Sequence, residues 1–169
     1  LNLLEHIDHD RFDVTVFLLE TGNKARRVKE NQIDPRVRLI YRLGGMGGSK
    51  MHLPARKAIL TNGDAGHLPM QAQAEAAFAD EWRRCFGEAK FDYTVDFSGY
   101  YGLMDRILLQ GNSPSKSIWQ HNDLAADSRK EVNGVRTQEQ GLRSVFSAYT
   151  SFDHIVSVSE ALRDVNRRN

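Results

Sequence analysis

The chain has 169 residues, 40% hydrophobic and 27% charged, a balance that suits one globular domain with a single core and excludes a disordered chain. Its 23 basic and 22 acidic side chains leave a formal charge of +1, so no overall field favours a nucleic-acid partner. The single cysteine, Cys85, offers neither an intramolecular disulfide nor a thiolate metal cluster, which fits a reducing, cytoplasmic compartment; no apolar run reaches the roughly 20 residues of a bilayer span.

Leu1, Leu3, Leu4 and Ile7 recur at near-helical spacing and predict a short amphipathic helix, ended by Asp8, His9 and Asp10. Residues 12–19 follow as a strand that begins with alternation and finishes in a continuous apolar run, the pattern of a strand buried on both faces in a parallel sheet. Thr21, Gly22 and Asn23 turn the chain into a basic helix near 24–30, and Pro35 precedes a second strand at 37–41. A loop carrying Gly44, Gly45, Gly47 and Gly48 comes next. Residues 53–86 are mostly helical in pattern, interrupted near 62–66, with the best stripe in the alanine-rich stretch 70–86. A third strand at 91–97 passes through Ser98 and Gly99 into a helix over 100–110, closed by Gly111 and followed by Pro114. The fourth strand spans 117–121, and the polar stretch 122–137 reads as a connection to a helix over 138–149. The fifth strand lies at 154–158, and Ser159 is placed to cap a last helix over 160–168.

Strands that alternate with helices predict an α/β fold: a Rossmann-like parallel sheet with helices on both faces, formed as one domain over 1–169. Such sheets bind ligands beyond the carboxyl ends of their strands. That rule singles out residues 20–23, 43–49, 96–100 and 121–123, with Ser159 and Glu160. His121 ends a short apolar strand before Asn122 and Asp123. Its imidazole can bond a sugar hydroxyl or a phosphate and exchange a proton near neutral pH; equally, it can simply cap the strand end on a backbone carbonyl. Ser98 and Gly99, between Asp96 and Tyr100, can offer backbone N–H groups to a phosphate or carboxylate, or form a plain tight turn with Ser98 as an N-cap.

Other features point less far. The order Gly44-Gly45-Met46-Gly47-Gly48-Ser49-Lys50 is neither a Walker motif, which needs a lysine directly after its last glycine, nor a dinucleotide fingerprint, which belongs at the first strand–helix turn. A surface loop or an active-site loop both fit it. Basic side chains cluster at Lys24, Arg26, Arg27, Lys29, Arg36, Arg38 and Arg42, and again at Arg163, Arg167 and Arg168. They read as solvated faces, or as patches for anionic lipid headgroups or a phosphorylated acceptor. No Gly-x-Ser-x-Gly elbow is present, and His52 and His67 lack ligand-like spacing, so no metal site is expected.

The opening Leu1-Asn2-Leu3-Leu4-Glu5-His6-Ile7 with Arg11-Phe12-Asp13-Val14-Thr15-Val16 resembles the start of many family-4 glycosyltransferases, which have the two-domain GT-B fold. Lys116-Ser117-Ile118-Trp119-Gln120-His121-Asn122-Asp123 is similar to the family's strand ending in a histidine. Phe146-Ser147-Ala148-Tyr149 with residues 152–160 is similar to the segment before its domain crossover. The resemblance spans nearly the whole chain, although 44–89 matches in pattern alone, and its flavour is nearest bacterial enzymes that build surface polysaccharides or teichoic-acid-like polymers.

This resemblance implies the N-terminal, acceptor-side domain of a retaining, metal-independent glycosyltransferase. No cofactor is expected in this chain; the nucleotide-sugar donor belongs to a second domain downstream, and the family's first strand and Gly-rich turn belong upstream of Leu1. Carried over by position, His121 lies near the transferred sugar as the catalytic candidate and Asn122 supports it. Asp96, Ser98, Gly99 and Tyr100 line the acceptor side. The implied partner is a glycan, lipid or polymer acceptor, with peripheral contact at the inner face of the membrane and a second copy completing the sheet left open. By itself the 169-residue chain is expected to lack transferase activity.

Two other classes compete. A stand-alone α/β ligand-binding or signalling module of the receiver type needs clustered acids after its first strand, whereas Asp8 and Asp10 precede one. A Rossmann dehydrogenase fragment needs a glycine fingerprint, which is not in the sequence.

Overall fold

The structure, a computed structural model, describes residues 2–19, 30–42, 54–55, 57–58 and 68–168, which gather into two compact units, Leu1–Met46 and Gly47–Asn169. In the first unit the Leu-rich opening forms α1 (Asn2–His6), and His9 Nε2 meets the Leu4 carbonyl at 2.9 Å. The apolar run becomes β1 (Thr15–Leu19), parallel to β2 (Arg38–Arg42), with Val16 opposite Leu39 and Phe17 opposite Ile40. A 3-10 turn at Glu30–Gln32 precedes β2. Asp34 receives the Arg36 backbone N–H at 2.9 Å and its guanidinium at 3.0 and 2.9 Å, and those bonds hold its carboxyl well below the usual carboxylate range.

The second unit opens on α2 (Leu68–Phe86), a helix of 19 residues. Its buried positions, Ala74, Ala77, Phe78, Glu81 and Trp82, recur at steps of three and one, which is one face of a 3.6-residue period. Glu81, the one acid on that face, is matched by the Arg84 guanidinium at 2.6 Å. Trp82 stacks on Phe86 at 4.1 Å, and Phe91 meets both rings edge-on. A Cβ at Gly111 would stand 2.5 Å from the Trp82 ring, so the residue just after the cap of the helix before the fourth strand must be glycine for that indole to seat.

β3 (Thr94–Asp96), β4 (Lys116–Gln120) and β5 (His154–Ser157) form a parallel sheet in that order, with Asp96, Ile118 and Ile155 in one row. The connections are helical: α3 (Gly102–Leu109) joins β3 to β4, α4 (Leu124–Arg129) and α5 (Glu139–Ala148) join β4 to β5, and α6 (Glu160–Arg168) follows β5. Ile118 is packed into a core with Leu124, Leu142, Val145, Ala148 and Phe152. Fully burying such a side chain contributes about 1.5–3 kcal/mol, which is why this helical layer fixes the strand ends above it.

The expected α/β, Rossmann-like class is therefore observed, with every described strand pairing parallel. Strand limits shift by one to three residues, and Ser159 caps α6 as expected, its hydroxyl receiving the Leu162 N–H at 3.2 Å. One connection differs. Within the polar stretch 122–137 lies α4, capped by the Asp123 carboxylate on the Ala126 N–H at 2.9 Å. Beyond it Val132 and Val135 exchange backbone bonds of 2.9 and 3.1 Å around Asn133 and Gly134, both at positive φ. That geometry is a tight Asn-Gly turn. All but the last residue of the expected basic helix near 24–30, and the glycine-rich loop, lie outside the described residues; Glu30 itself opens the 3-10 turn. No helix among the described residues is long and apolar enough to cross a membrane.

Candidate functional site at the carboxyl end of the second sheet

Alternation along the strands sends neighbouring candidates to opposite faces. Asp96 and Gln120 share the face covered by the core, with Ile118 between them, whereas Trp119 and His121 project to the other. Phe97 joins that second group: its ring lies 4.6 Å from the His121 ring and 5.2 Å from Trp119.

His121 is half-buried and its Nε2 lies 2.7 Å from the Phe97 carbonyl oxygen. A carbonyl only accepts, so Nε2 carries the proton and Nδ1 keeps its lone pair in the neutral ring. Nδ1 has no partner among the described residues. The strand-end cap on a backbone carbonyl is thus present.

The Ser98–Gly99 turn has a different use from anion capture. Asp96 Oδ1 accepts the Ser98 N–H at 2.9 Å, the Ser98 hydroxyl at 3.1 Å and the Gly99 N–H at 3.0 Å. These backbone donors are taken by the protein's own carboxylate, so the tight-turn reading is the one that holds. Ser98 does not cap α3 either; Tyr101 occupies that position. Gly99 stands at φ +61, and a Cβ there would collide with the Trp119 carbonyl oxygen. Its freedom serves close packing of the turn on β4 rather than approach of a ligand.

Beneath the turn lies a buried acid pair that sequence reading missed. Asp105 on α3 is fully buried, and neither of its carboxyl oxygens, nor Asp96 Oδ2, has a hydrogen-bond partner among the described residues. Burial first, then the neighbouring Asp96 carboxyl, push Asp105 up to about 10. At neutral pH Asp105 therefore keeps its proton, while Asp96 Oδ1 grips the turn.

Tyr100 is tied in similarly. Its hydroxyl donates to Asp127 on α4 and accepts the Asn122 side-chain N–H at 2.7 Å. Burial and the Asp127 carboxylate raise this phenol, so it stays protonated. A cavity of about 350 Å³ opens beside it, lined by Ser98, Tyr100, Tyr101 and Gln138. Of the predicted acceptor residues, Ser98 and Tyr100 line this cavity, Asp96 and Gly99 support its floor, and Asn122 orients Tyr100. His121 is not among the lining residues; it borders the aromatic face through Phe97.

Across the same sheet edge, Gln120 forms a second polar centre. Its amide N–H reaches the Tyr149 hydroxyl at 3.0 Å, and its carbonyl accepts Ser157 at 2.9 Å and Asn166 at 3.0 Å. Asn166 also reaches the Asn122 carbonyl at 3.3 Å, joining α6 to the loop after His121. Tyr101, Asp127, Gln138, Tyr149 and Asn166 escaped sequence reading because all lie on helices or their caps, not directly after a strand. Among the described residues no group of three or more His, Cys, Asp or Glu could hold a metal ion. The expected ligand loops at 20–23 and 43–49 lie outside the described residues.

The chain matches no protein-family model and no curated protein. What the fold and site define is a class: an α/β unit of parallel strands with a polar, aromatic-walled recess at their carboxyl ends.

Proposed function

We propose that this chain is the acceptor-binding domain of a retaining glycosyltransferase, which in the whole protein moves a sugar from a nucleotide-sugar donor to a hydroxyl of a glycan, lipid or cell-surface polymer. The observation that carries this is the 350 Å³ cavity, whose lining of Ser98, Tyr100, Tyr101 and Gln138 contains hydroxyls, an amide and two aromatic rings but no charge. Such a lining matches a neutral polyhydroxylated ligand: rings pack on sugar C–H faces and the polar groups exchange hydrogen bonds with hydroxyls. Its walls are preorganised, because Tyr100 is held between Asn122 and Asp127 and the turn beneath is gripped by Asp96. His121, protonated on Nε2, offers Nδ1 as an acceptor for a hydroxyl of the transferred sugar. The sequence resemblance supports the same reading.

Saturation-transfer NMR on the chain, with a panel of neutral oligosaccharides and with UDP-glucose, tests it. Saccharide protons are expected to saturate in the wild type and to lose that contact in Tyr101→Ala, whose side chain is 57% exposed and carries little of the fold. UDP-glucose should show no contact. Absence of contact across the panel, or preferential binding of the nucleotide, would refute the acceptor reading and favour a stand-alone binding module. In the whole enzyme, His121→Ala should cut turnover while leaving the thermal midpoint nearly unchanged; full turnover would make His121 a structural residue.

A further inference from the structure

A second cavity, of about 300 Å³, lies at the β5 edge between the sheet and α6, lined by Gln120, Tyr149, Ile155, Ser157, Arg163, Asn166 and Arg167. We infer that it is a binding site for a small phosphate ester, separate from the saccharide recess and independent of the transferase proposal.

The case begins with the sequence of α6. Arg163, Asn166 and Arg167 fall at i, i+3 and i+4, which places all three on one side of the helix, and all three line this cavity. The wall opposite comes from the sheet, where Gln120 and Ser157 are paired in register. Gln120 is a buried polar side chain, 6% exposed, and its hydrogen bonds decide what the cavity can still recognise. Its carbonyl oxygen is already committed to Ser157 and Asn166. The Tyr149 hydroxyl accepts from the Gln120 amide, which leaves its own O–H without an acceptor among the described residues. Burial keeps that phenol in its protonated, donating form.

What remains is a surplus of donors. Tyr149 has an O–H to give, the Gln120 amide a second N–H, and Arg167 a whole guanidinium that meets no acceptor among the described residues. Arg163 is shared with Asp164 at 3.3 Å and Glu160 at 3.9 Å, but these are exposed pairs of small strength that an anionic ligand can displace. The last turn of α6 opposes an anion with about half a charge, which one free guanidinium outweighs. Donors converging from strand, helix and core suit the tetrahedral oxygens of phosphate better than a planar carboxylate. Ile155, 49% exposed in the same cavity, supplies an apolar wall for the carbon skeleton of an ester.

The test is chemical-shift mapping on the isotope-labelled chain titrated with glycerol 3-phosphate, inorganic phosphate and glycerol. Saturable shifts of the Gln120 and Asn166 side-chain amides are expected with glycerol 3-phosphate, weaker ones with inorganic phosphate and none with glycerol. Arg167→Ala should weaken the glycerol 3-phosphate interaction at least tenfold. Arg143→Ala, which removes an exposed guanidinium paired with Glu139 on α5, should leave it unchanged. Tyr149→Phe provides a second variant that deletes a donor without deleting charge, with several-fold weakening expected. Equal loss in both arginine variants, no loss in Arg167→Ala, or shifts that bypass Gln120 and Asn166 would each overturn the site. Binding to phosphatidylglycerol vesicles without binding of glycerol 3-phosphate would overturn it as well, by assigning the arginines to a membrane surface.

Discussion

Replacing Asp105 with asparagine should stabilise this protein at neutral pH. Asp105 has an ordinary value of 3.8 and is raised to about 10 in the folded chain by burial and by Asp96. A carboxyl that binds its proton more tightly when folded contributes stability that is complete below about pH 4 and is lost as pH rises toward 10. Over the roughly three pH units from 3.8 to 7, at about 1.4 kcal/mol per unit, the penalty reaches about 4 kcal/mol at neutrality, an upper figure that local relaxation reduces. Asparagine keeps the shape and has no proton to lose. Urea denaturation of wild type and Asp105→Asn at pH 5, 7 and 9 measures this directly. The wild type should lose stability across the series, whereas the variant should stay nearly flat and exceed the wild type by about 1–4 kcal/mol at pH 7. A variant less stable than wild type at pH 7, with the pH slope unchanged, would refute the buried-acid account.

Gly99→Ala should destabilise by about 2–4 kcal/mol, because φ +61 and the collision with the Trp119 carbonyl act together; a thermal midpoint within 2 °C of wild type would contradict that, a limit drawn from the several degrees that about 1 kcal/mol shifts a domain of this size. Tyr100→Phe removes the hydroxyl that joins Asn122 to Asp127, and a loss of about 1–2 kcal/mol in urea denaturation is expected. Ser117→Ala should be neutral or stabilising by up to about 1 kcal/mol, since the Ser117 hydroxyl is buried without a partner among the described residues and its removal deletes only an unsatisfied group. A clear loss of stability in Ser117→Ala would show that the hydroxyl has a partner after all.

Local chemistry made much of the fold legible. The run Thr15-Val16-Phe17-Leu18-Leu19, the Ala-rich stripe of α2 and the Ser159 cap each carry their signal within a few residues, so period and capping rules find them. The helix after Asp123 was missed because a short, polar segment with two alanines has little amphipathic stripe; its capping aspartate and the Asn133-Gly134 turn beyond it were the available clues. Within the candidate site, strand-end position correctly marked Ser98, Tyr100 and His121 as residues at the sheet's carboxyl edge, since a parallel sheet sends every strand to the same edge.

The sequence by itself determined the alternation of strand and helix, and through it a parallel α/β fold whose polar strand ends meet on one side. Only the tertiary structure decided what those ends do. Which N–H groups are free depends on where a carboxylate folds back, and Asp96 takes the ones at Ser98 and Gly99. Whether Asp105 is charged depends on the carboxyl it is buried against, nine residues earlier in the chain and across a strand–helix turn. Partners such as Asp127 for Tyr100 and Asn166 for Gln120 lie 27 and 46 residues away. Hydrogen bonding and burial are set by neighbours in space, whereas periodicity reports only neighbours in the chain.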